Sequence, residues 1–286
     1  MSKLMETKIG VVIVLFHPKK FNYKELVHQA DVSVILVDNT PDSDFNLTSG
    51  NVYYIPLKQN KGIATAQNIG ICKARELVCS YVVFFDQDSV IGHEYIMNIV
   101  DEYKRIAIGV KNLFLLGPTV FNGRTGYEYK SVIHTDRFIF TDFVYRREII
   151  SSGSCSELST IQKVGELIDG LFIDYVDFEW CWRANRMGFV SGITPRVKLQ
   201  HLVGQNEFKL FGQLVIISSP IRYFYQYRNY LWLLRKRYVP FQWKRNTGIK
   251  FLLRLFYFPF CIKNWKQIEY NMWRGIWYGL FKYERL

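Results

Sequence analysis

Four apolar runs in the first third of the chain are continuous instead of alternating: KIGVVIVLF (8–16), VSVILVDN (32–39), NVYYIPL (51–57) and YVVFFD (81–86). A strand with one wet face alternates apolar and polar residues, whereas a continuous run suits a strand covered on both faces, as in a parallel sheet layered between helices. Helical segments YKELVHQA (23–30) and IATAQNIGICKAREL (63–77), the second with Ala, Ile and Leu on one face, supply the layers. The pattern predicts a doubly wound, parallel α/β sheet. Ligands of such sheets bind outside the carboxyl ends of the strands. Three of those ends carry chemistry, Phe16-His17-Pro18, Asp38-Asn39 and Asp86-Gln87-Asp88, and the topology predicts that one rim collects them.

A length of 286 residues is compatible with one large α/β domain or a domain plus an appendage. From about residue 113 the segments shorten: NLFLLGPTVF and RFIFTDFVYRREII have β character, a helix is predicted near 157–168, and a strand over 189–199 precedes His201. Residues 218–286 are aromatic and cationic with helical spacing. The net charge of +12 is concentrated there: residues 1–179 carry 18 Lys and Arg against 22 Asp and Glu, and residues 180–286 carry 19 against 3. Such a basic third suits an anionic partner, whether a phosphorylated ligand, an anionic lipid surface or nucleic acid. The five cysteines form no C-x-x-C pair, and their odd count argues against a disulfide framework, so reduced thiols in a cytosolic protein are expected. The N-terminal apolar run is too short for a signal-peptide core. No stretch reaches the roughly 18–20 uncharged residues of a membrane-spanning helix; Arg222 and Arg254 interrupt the best candidates.

Asp86 and Asp88 stand at i and i+2 at a strand terminus, where a tight loop can aim both side chains the same way. Hard cations such as Mg²⁺ or Mn²⁺ take a few oxygen ligands and complete their shell with water and substrate phosphates. A bare pair of this kind is more often a solvated acidic turn. Asp38 is placed to accept from a base imide or a ribose hydroxyl, or else to cap its own turn. Lys61 and Gly62 precede a helix that contains Asn68, a junction where backbone, helix N-terminus and cation could meet an anion. In DYVDFEWCWR, Glu179 and Arg183 form an i,i+4 pair, and Asp177 near the helix start could serve as a general base. His201 alone reads as a structural histidine or as a ligand for metal or phosphate.

The order of these motifs is more specific than any one of them. The chain resembles family 2 glycosyltransferases of the GT-A fold, and most closely their bacterial rhamnosyltransferase branch. The resemblance is carried by FHP, VDNT, NKGIATAQNIG, FFDQDS, SSGS (151–154), FIDYVDFEWCWRANRMGF, HLVG near 201 and YRNYLWLLRK. It implies a Rossmann-like, mostly parallel sheet flanked by helices over residues 1–217, with a nucleotide-sugar half (about 1–110) and an acceptor half (about 111–217), followed by a helical region over 218–286. It further implies that His17, Pro18, Asp38, Asn39, Lys61, Asn68 and Gln87 bind the donor, that Asp86, Asp88 and His201 hold Mg²⁺ or Mn²⁺ on its diphosphate, and that Asp177 is the base. Val176 stands where an acid usually precedes that base, which leaves Asp174 and Glu179 as rivals. Gln67 stands where many relatives have a basic residue.

The reaction so implied is inverting transfer of L-rhamnose from dTDP-β-L-rhamnose to a lipid-linked (undecaprenyl diphosphate) glycan, as in O-antigen or capsule assembly. UDP-galactose, UDP-glucose or a similar donor is the alternative within the class; a non-catalytic nucleotide-sugar binder or a membrane scaffold is the alternative outside it. The C-terminal aromatics either pack the helices onto the domain or, with their cationic rims, meet an anionic membrane. The expected location is therefore cytoplasmic and peripheral at the inner face of the bacterial plasma membrane. No nucleic-acid partner is expected, since the N-terminal half is acidic and carries no recognised binding motif.

Overall fold

A computed structural model describes residues 7–18, 31–45, 47, 49–89, 91–92, 94–122, 137–140, 142–201, 207–210, 213–262 and 265–283. The helix expected over 23–30 lies outside them. The apolar runs form β1 (Ile9–Leu15), β2 (Val32–Asp38), β3 (Val52–Pro56) and β4 (Tyr81–Asp86), with α1 (Gly62–Glu76) between the last two. β1 pairs in parallel with β2 and with β4, and β2 with β3. Leu15 stands opposite Asp38, and Val14 opposite Asp86, so the carboxyl ends share a rim.

Both faces of β1, β2 and β4 are dry, which is why their sequence does not alternate; β3, at the sheet edge, is only half-buried. Val12, Ile35, Val37, Val82 and Phe84 belong to one core cluster together with residues of α1; Ile13, Val34, Leu36, Val83 and Phe85 belong to another, with residues of α2 (Tyr95–Gly109).

Beyond β4 the sheet turns mixed. It is nine-stranded, in the order β3-β2-β1-β4-β8-β5-β9-β7-β6, where β5 is Leu113–Asn122, β6 Arg137–Phe140, β7 Phe143–Tyr145, β8 Cys155–Glu157 and β9 Val190–His201. The short β8 wedges antiparallel between β4 and β5, β9 runs parallel to β5, and the hairpin of β6 and β7 closes the edge. A separate ribbon joins β10 (Glu207–Leu210) to β11 (Gln213–Ile216). The short α3 (Leu158–Val164) and α4 (Val176–Arg186) cover the same face as α1. Trp180 of α4 meets Phe84 and Phe114 edge-on at 5.8 and 4.8 Å.

The C-terminal third is helical, as expected: α5 (Pro220–Leu234), α6 (Phe241–Cys261) and α7 (Trp265–Phe281). α5 and α7 approach closely because Gly275 and Gly279 face α5; a Cβ at either would strike Phe224 or Leu231. Tyr223, Tyr227, Phe251, Phe258 and Met272 fill a core between the three helices, so part of the aromatic excess packs the layer. Among the described residues no helix is long and apolar enough to cross a membrane.

Candidate active site

A cleft of about 860 Å³ opens at the rim of β4, bounded by the β4 end, the 150–152 loop, the start of α4 and the C-terminal helices. Asp86, Asp88 and Asp177 all line it. Asp86 is half-buried and Asp88 exposed. The loop SSGS ties them to Asp177: Ser152 Oγ accepts from the Asp86 N–H at 3.3 Å, and the Ser151 N–H donates to Asp177 Oδ2 at 3.3 Å. The Phe178 N–H donates to Asp177 Oδ1 at 2.9 Å. Gln67 Nε2 donates to Ser151 Oγ at 3.1 Å and so orients the loop through a neutral hydrogen bond.

Burial pushes the Asp177 carboxyl up to about 7; the nearby Asp86 charge adds to the rise, and the hydrogen bonds from Phe178 and Ser151 oppose it. A half-buried carboxylate poised near neutrality is suited to take a proton. Its two rivals are engaged elsewhere. Arg222 grips both oxygens of Asp174, at 3.2 and 2.5 Å. Glu179 is fully buried and accepts from Arg183 and from the Tyr238 hydroxyl at 2.7 Å, so the i,i+4 pair is structural.

The segment before Asp177 is held in costly backbone conformations. Phe172 (φ 62°, ψ −63°) makes a γ-turn, closed by Ile173 N–H to Leu171 O at 2.7 Å, and Asp174 and Tyr175 both lie in the left-handed region. Two residues of α5 hold the turn. Asn229, fully buried, donates to the carbonyls of Leu171, Ile173 and Asp174 at 2.8, 2.8 and 3.1 Å. Arg228 donates to Gly170 O and Leu171 O while its guanidinium lies 4.2 Å from the Trp232 ring centre. The sequence singled out YRNYLWLLRK without a role for these two residues. Their partners are main-chain carbonyls more than 50 positions away, which no local pattern reveals.

The expected donor residues are distributed along the rim, and most already serve the fold. Asp38 is fully buried with both oxygens engaged, by Thr40 N–H, Ser43 Oγ and Tyr54 OH. Burial alone would raise its pKa, but those hydrogen bonds outweigh it and hold the carboxyl below its ordinary value. Asn39 receives the Lys61 N–H and donates to Gly62 O. Asn68 clasps the 167–169 segment. Gln87 exchanges two hydrogen bonds with the Phe16 backbone, at 2.7 and 3.1 Å, and so ties the β1 end to the β4 end. His17 (φ 47°) is exposed with its N–H on Thr40 Oγ1, Pro18 is half-buried, and Lys61 is exposed. The α1 N-terminus is occupied by protein: Ile63 N–H donates to Phe172 O at 2.7 Å. Gly62 (φ 83°) makes this contact possible, since a Cβ there would meet Phe172 at 2.6 Å. His201 ends β9 opposite Asn122, and its side chain lies outside the described residues.

Comparison with known proteins fits this arrangement. The sequence profile described as Glycosyl transferase family 2 matches residues 23–149. The dTDP-rhamnosyl transferase RfbF of Shigella flexneri is 33% identical over 253 residues, covering 82% of this chain and 83% of that protein. The chain belongs to glycosyltransferase family 2. The structure of Staphylococcus aureus TarS 1–349 superposes with a TM-score of 0.54 at 14% identity over 96% of this glycosyltransferase and 81% of TarS 1–349; longer TarS matches over 44% of its own length, with a TM-score of 0.50. GalNAc-T7 with UDP, GalNAc and Mn²⁺ superposes with a TM-score of 0.50 at 13% identity, over 86% of this chain and 55% of its own. These likenesses place the transferase in the GT-A fold.

Among the described residues no group of three or more His, Cys, Asp and Glu could hold a metal ion by itself. Asp86 and Asp88 nonetheless fit a hard divalent cation: two carboxylates project into one cleft with a third, Asp177, nearby, and a cation there would relieve their mutual repulsion while taking its remaining oxygens from substrate and water.

Proposed function

We propose that this glycosyltransferase moves L-rhamnose, with inversion, from dTDP-β-L-rhamnose to a lipid-linked glycan of the undecaprenyl diphosphate type, as in O-antigen or capsular polysaccharide assembly. The observation that carries the reading is Asp177, oriented by two backbone N–H groups and raised towards neutrality, in the cleft that also holds Asp86 and Asp88. The rhamnosyl donor is supported by the RfbF likeness.

In this mechanism Asp177 takes the proton of the acceptor hydroxyl. The freed electron pair forms the new bond at the anomeric carbon from the face opposite the leaving group, and the departing bond's electrons pass to the nucleotide diphosphate. Asp86 and Asp88 would hold Mg²⁺ or Mn²⁺, which when bound neutralises charge developing on that diphosphate. The inward hydrogen bonds of Asp38 and Asn39 give them a part in shaping the nucleoside pocket, with His17, Pro18 and the Lys61 side chain nearer solvent.

The test is a donor panel with purified protein and added Mg²⁺ or Mn²⁺. Transfer from dTDP-rhamnose and not from UDP-galactose or UDP-glucose is the expected result; preference for a UDP-sugar overturns the rhamnose assignment. Chelation should lower transfer by roughly two orders of magnitude, reversed by adding metal. Asp88→Ala should show a similar loss that metal does not reverse. Unchanged wild-type rates in chelator would remove the cation from the mechanism.

The lipid acceptor is supported by the outer surface of the C-terminal helices. On α6, Ile249, Leu252, Leu253, Phe256 and Phe260 are exposed at helical spacing; on α7, Tyr270, Trp273, Trp277 and Phe281 repeat the pattern, with exposures from 49% for Trp277 to 88% for Phe260. Exposed Arg245 of α6 and Lys282, just past the end of α7, add cations there. Aromatic and aliphatic stripes with cationic neighbours suit the headgroup region of an anionic membrane at its cytoplasmic face. The protein should co-sediment with vesicles containing phosphatidylglycerol, and the double variant Phe256→Glu, Trp273→Glu should lose about tenfold in partitioning. Equal sedimentation of the two proteins would rule out this surface.

A further inference from the structure

Arg254 projects from α6 into the wall of the cleft that holds Asp86, Asp88 and Asp177, and it is only 7% exposed. Its Nη1 donates to Gln226 Oε1 at 3.2 Å, and its Nε is buried with no hydrogen-bond partner. Among the described residues no carboxylate lies within ion-pair distance of it. The rings of Tyr223, Phe251 and Phe258, with centres 5.7–5.8 Å away, face its guanidinium.

A guanidinium cannot relieve its burial by giving up a proton, as a lysine can. An unpaired buried charge is costly, and ring faces 5.7–5.8 Å away offset only part of that cost. Arg222, from the same helical layer, also lines the cleft, but its charge is already matched by Asp174. Of the two cations among the described residues that line the cleft, Arg254 is therefore the one without a carboxylate partner, and the other charged residues there, in the β4 and α4 segments, are acids. Planar guanidinium donors match phosphate oxygens.

We propose that Arg254 is the seat for a phosphate or diphosphate group that occupies the C-terminal side of this cleft. The inference rests on the transferase reading, in which two ligands carry such a group: the nucleotide donor and the lipid-linked acceptor.

Binding of inorganic pyrophosphate, dTDP and farnesyl diphosphate is measured by calorimetry in chelator, on wild-type protein, Arg254→Gln and Arg254→Lys. Pyrophosphate affinity should fall at least about tenfold in Arg254→Gln and recover in part in Arg254→Lys. A loss seen with dTDP identifies the donor's diphosphate as the occupant; a loss seen with farnesyl diphosphate identifies the acceptor's. In wild-type protein the ¹⁵Nε–H resonance of Arg254 should shift on titration with pyrophosphate, and this signal decides alone if Arg254→Gln does not fold. Wild-type affinities for all three anions in a folded Arg254→Gln variant, or an unmoved Nε–H resonance, would make Arg254 a packing residue and overturn the proposal. None of these readouts needs sugar transfer. A protein that binds pyrophosphate through Arg254 yet transfers no rhamnose refutes the proposed reaction and leaves the seat standing; active transfer with no anion effect at Arg254 does the reverse.

Discussion

Asp177→Asn is expected to lower sugar transfer by roughly 10²–10⁴-fold while leaving the protein folded. The amide keeps the size and planarity of the carboxylate but cannot take a proton. One of its ends, the NH₂ group, must face either the Ser151 or the Phe178 N–H, both of which now donate to the carboxylate. The same substitution should change how stability depends on pH. A carboxyl raised from 3.8 in the unfolded chain to about 7 in the fold contributes stability fully below the lower value and loses it as pH rises through the upper one. The melting temperature of wild-type protein should therefore fall relative to that of Asp177→Asn between pH 5 and pH 8. In wild-type enzyme kcat/KM should rise through this range with an apparent pKa near 7. Because Asp86 contributes to that value, a cation on Asp86 should move the limb to lower pH without abolishing it, burial being the larger cause. Full transfer by a folded Asp177→Asn protein would sink the assignment of the base.

Asn229→Ala is expected to lower both activity and stability, for a different reason. Its amide holds the carbonyls of Ile173 and Asp174, and shares Leu171 O with Arg228. Each buried carbonyl left without a donor costs about 1–3 kcal/mol, and two are left so, which makes the loss about 2–6 kcal/mol. For a chain of this size that amounts to roughly 5–20 °C in melting temperature. Released from its clasp, the segment through Phe172, Asp174 and Tyr175 can leave its unfavourable φ values and carry Asp177 out of register with the 151–152 loop. A shift in the acid limb of kcat/KM, measured well below the melting temperature, separates this positioning role from simple destabilisation. A variant that is less stable but has unchanged kcat and an unchanged pH profile would reduce Asn229 to a structural residue.

β1, β2 and β4 were legible in the sequence because burial on both faces leaves an unbroken apolar run, and parallel pairing then fixes which ends share a rim. Sheet topology put Asp86 and Asp88 on that rim, whereas Asp177, on a helix, was singled out by the order of motifs that resembled a known family; the structure brings all three to one cleft. β8 was not legible, since a three-residue strand drawn from SSGSCSELS takes its place from the exposed edges of β4 and β5 and not from its own pattern. Asp38 illustrates a second limit. Its neighbour Thr40 is local, but Ser43 and Tyr54 complete the shell that turns both oxygens inward, and only the folded chain brings them to it. Arg254 illustrates a third: in sequence it only interrupted an apolar stretch, and its burial beside the cleft depends on how α6 packs.

The clasp of α5 on the 170–174 segment also bears on how such enzymes can be recombined. A chimera that joined the first 217 residues of this protein to the C-terminal third of a relative would pair one parent's 170–174 turn with the other parent's donors. Crossovers that inherit residues 170–177 and 220–234 from the same parent should retain activity. A joint that separates them should yield a protein whose sheet folds but whose proposed base, Asp177, is misplaced.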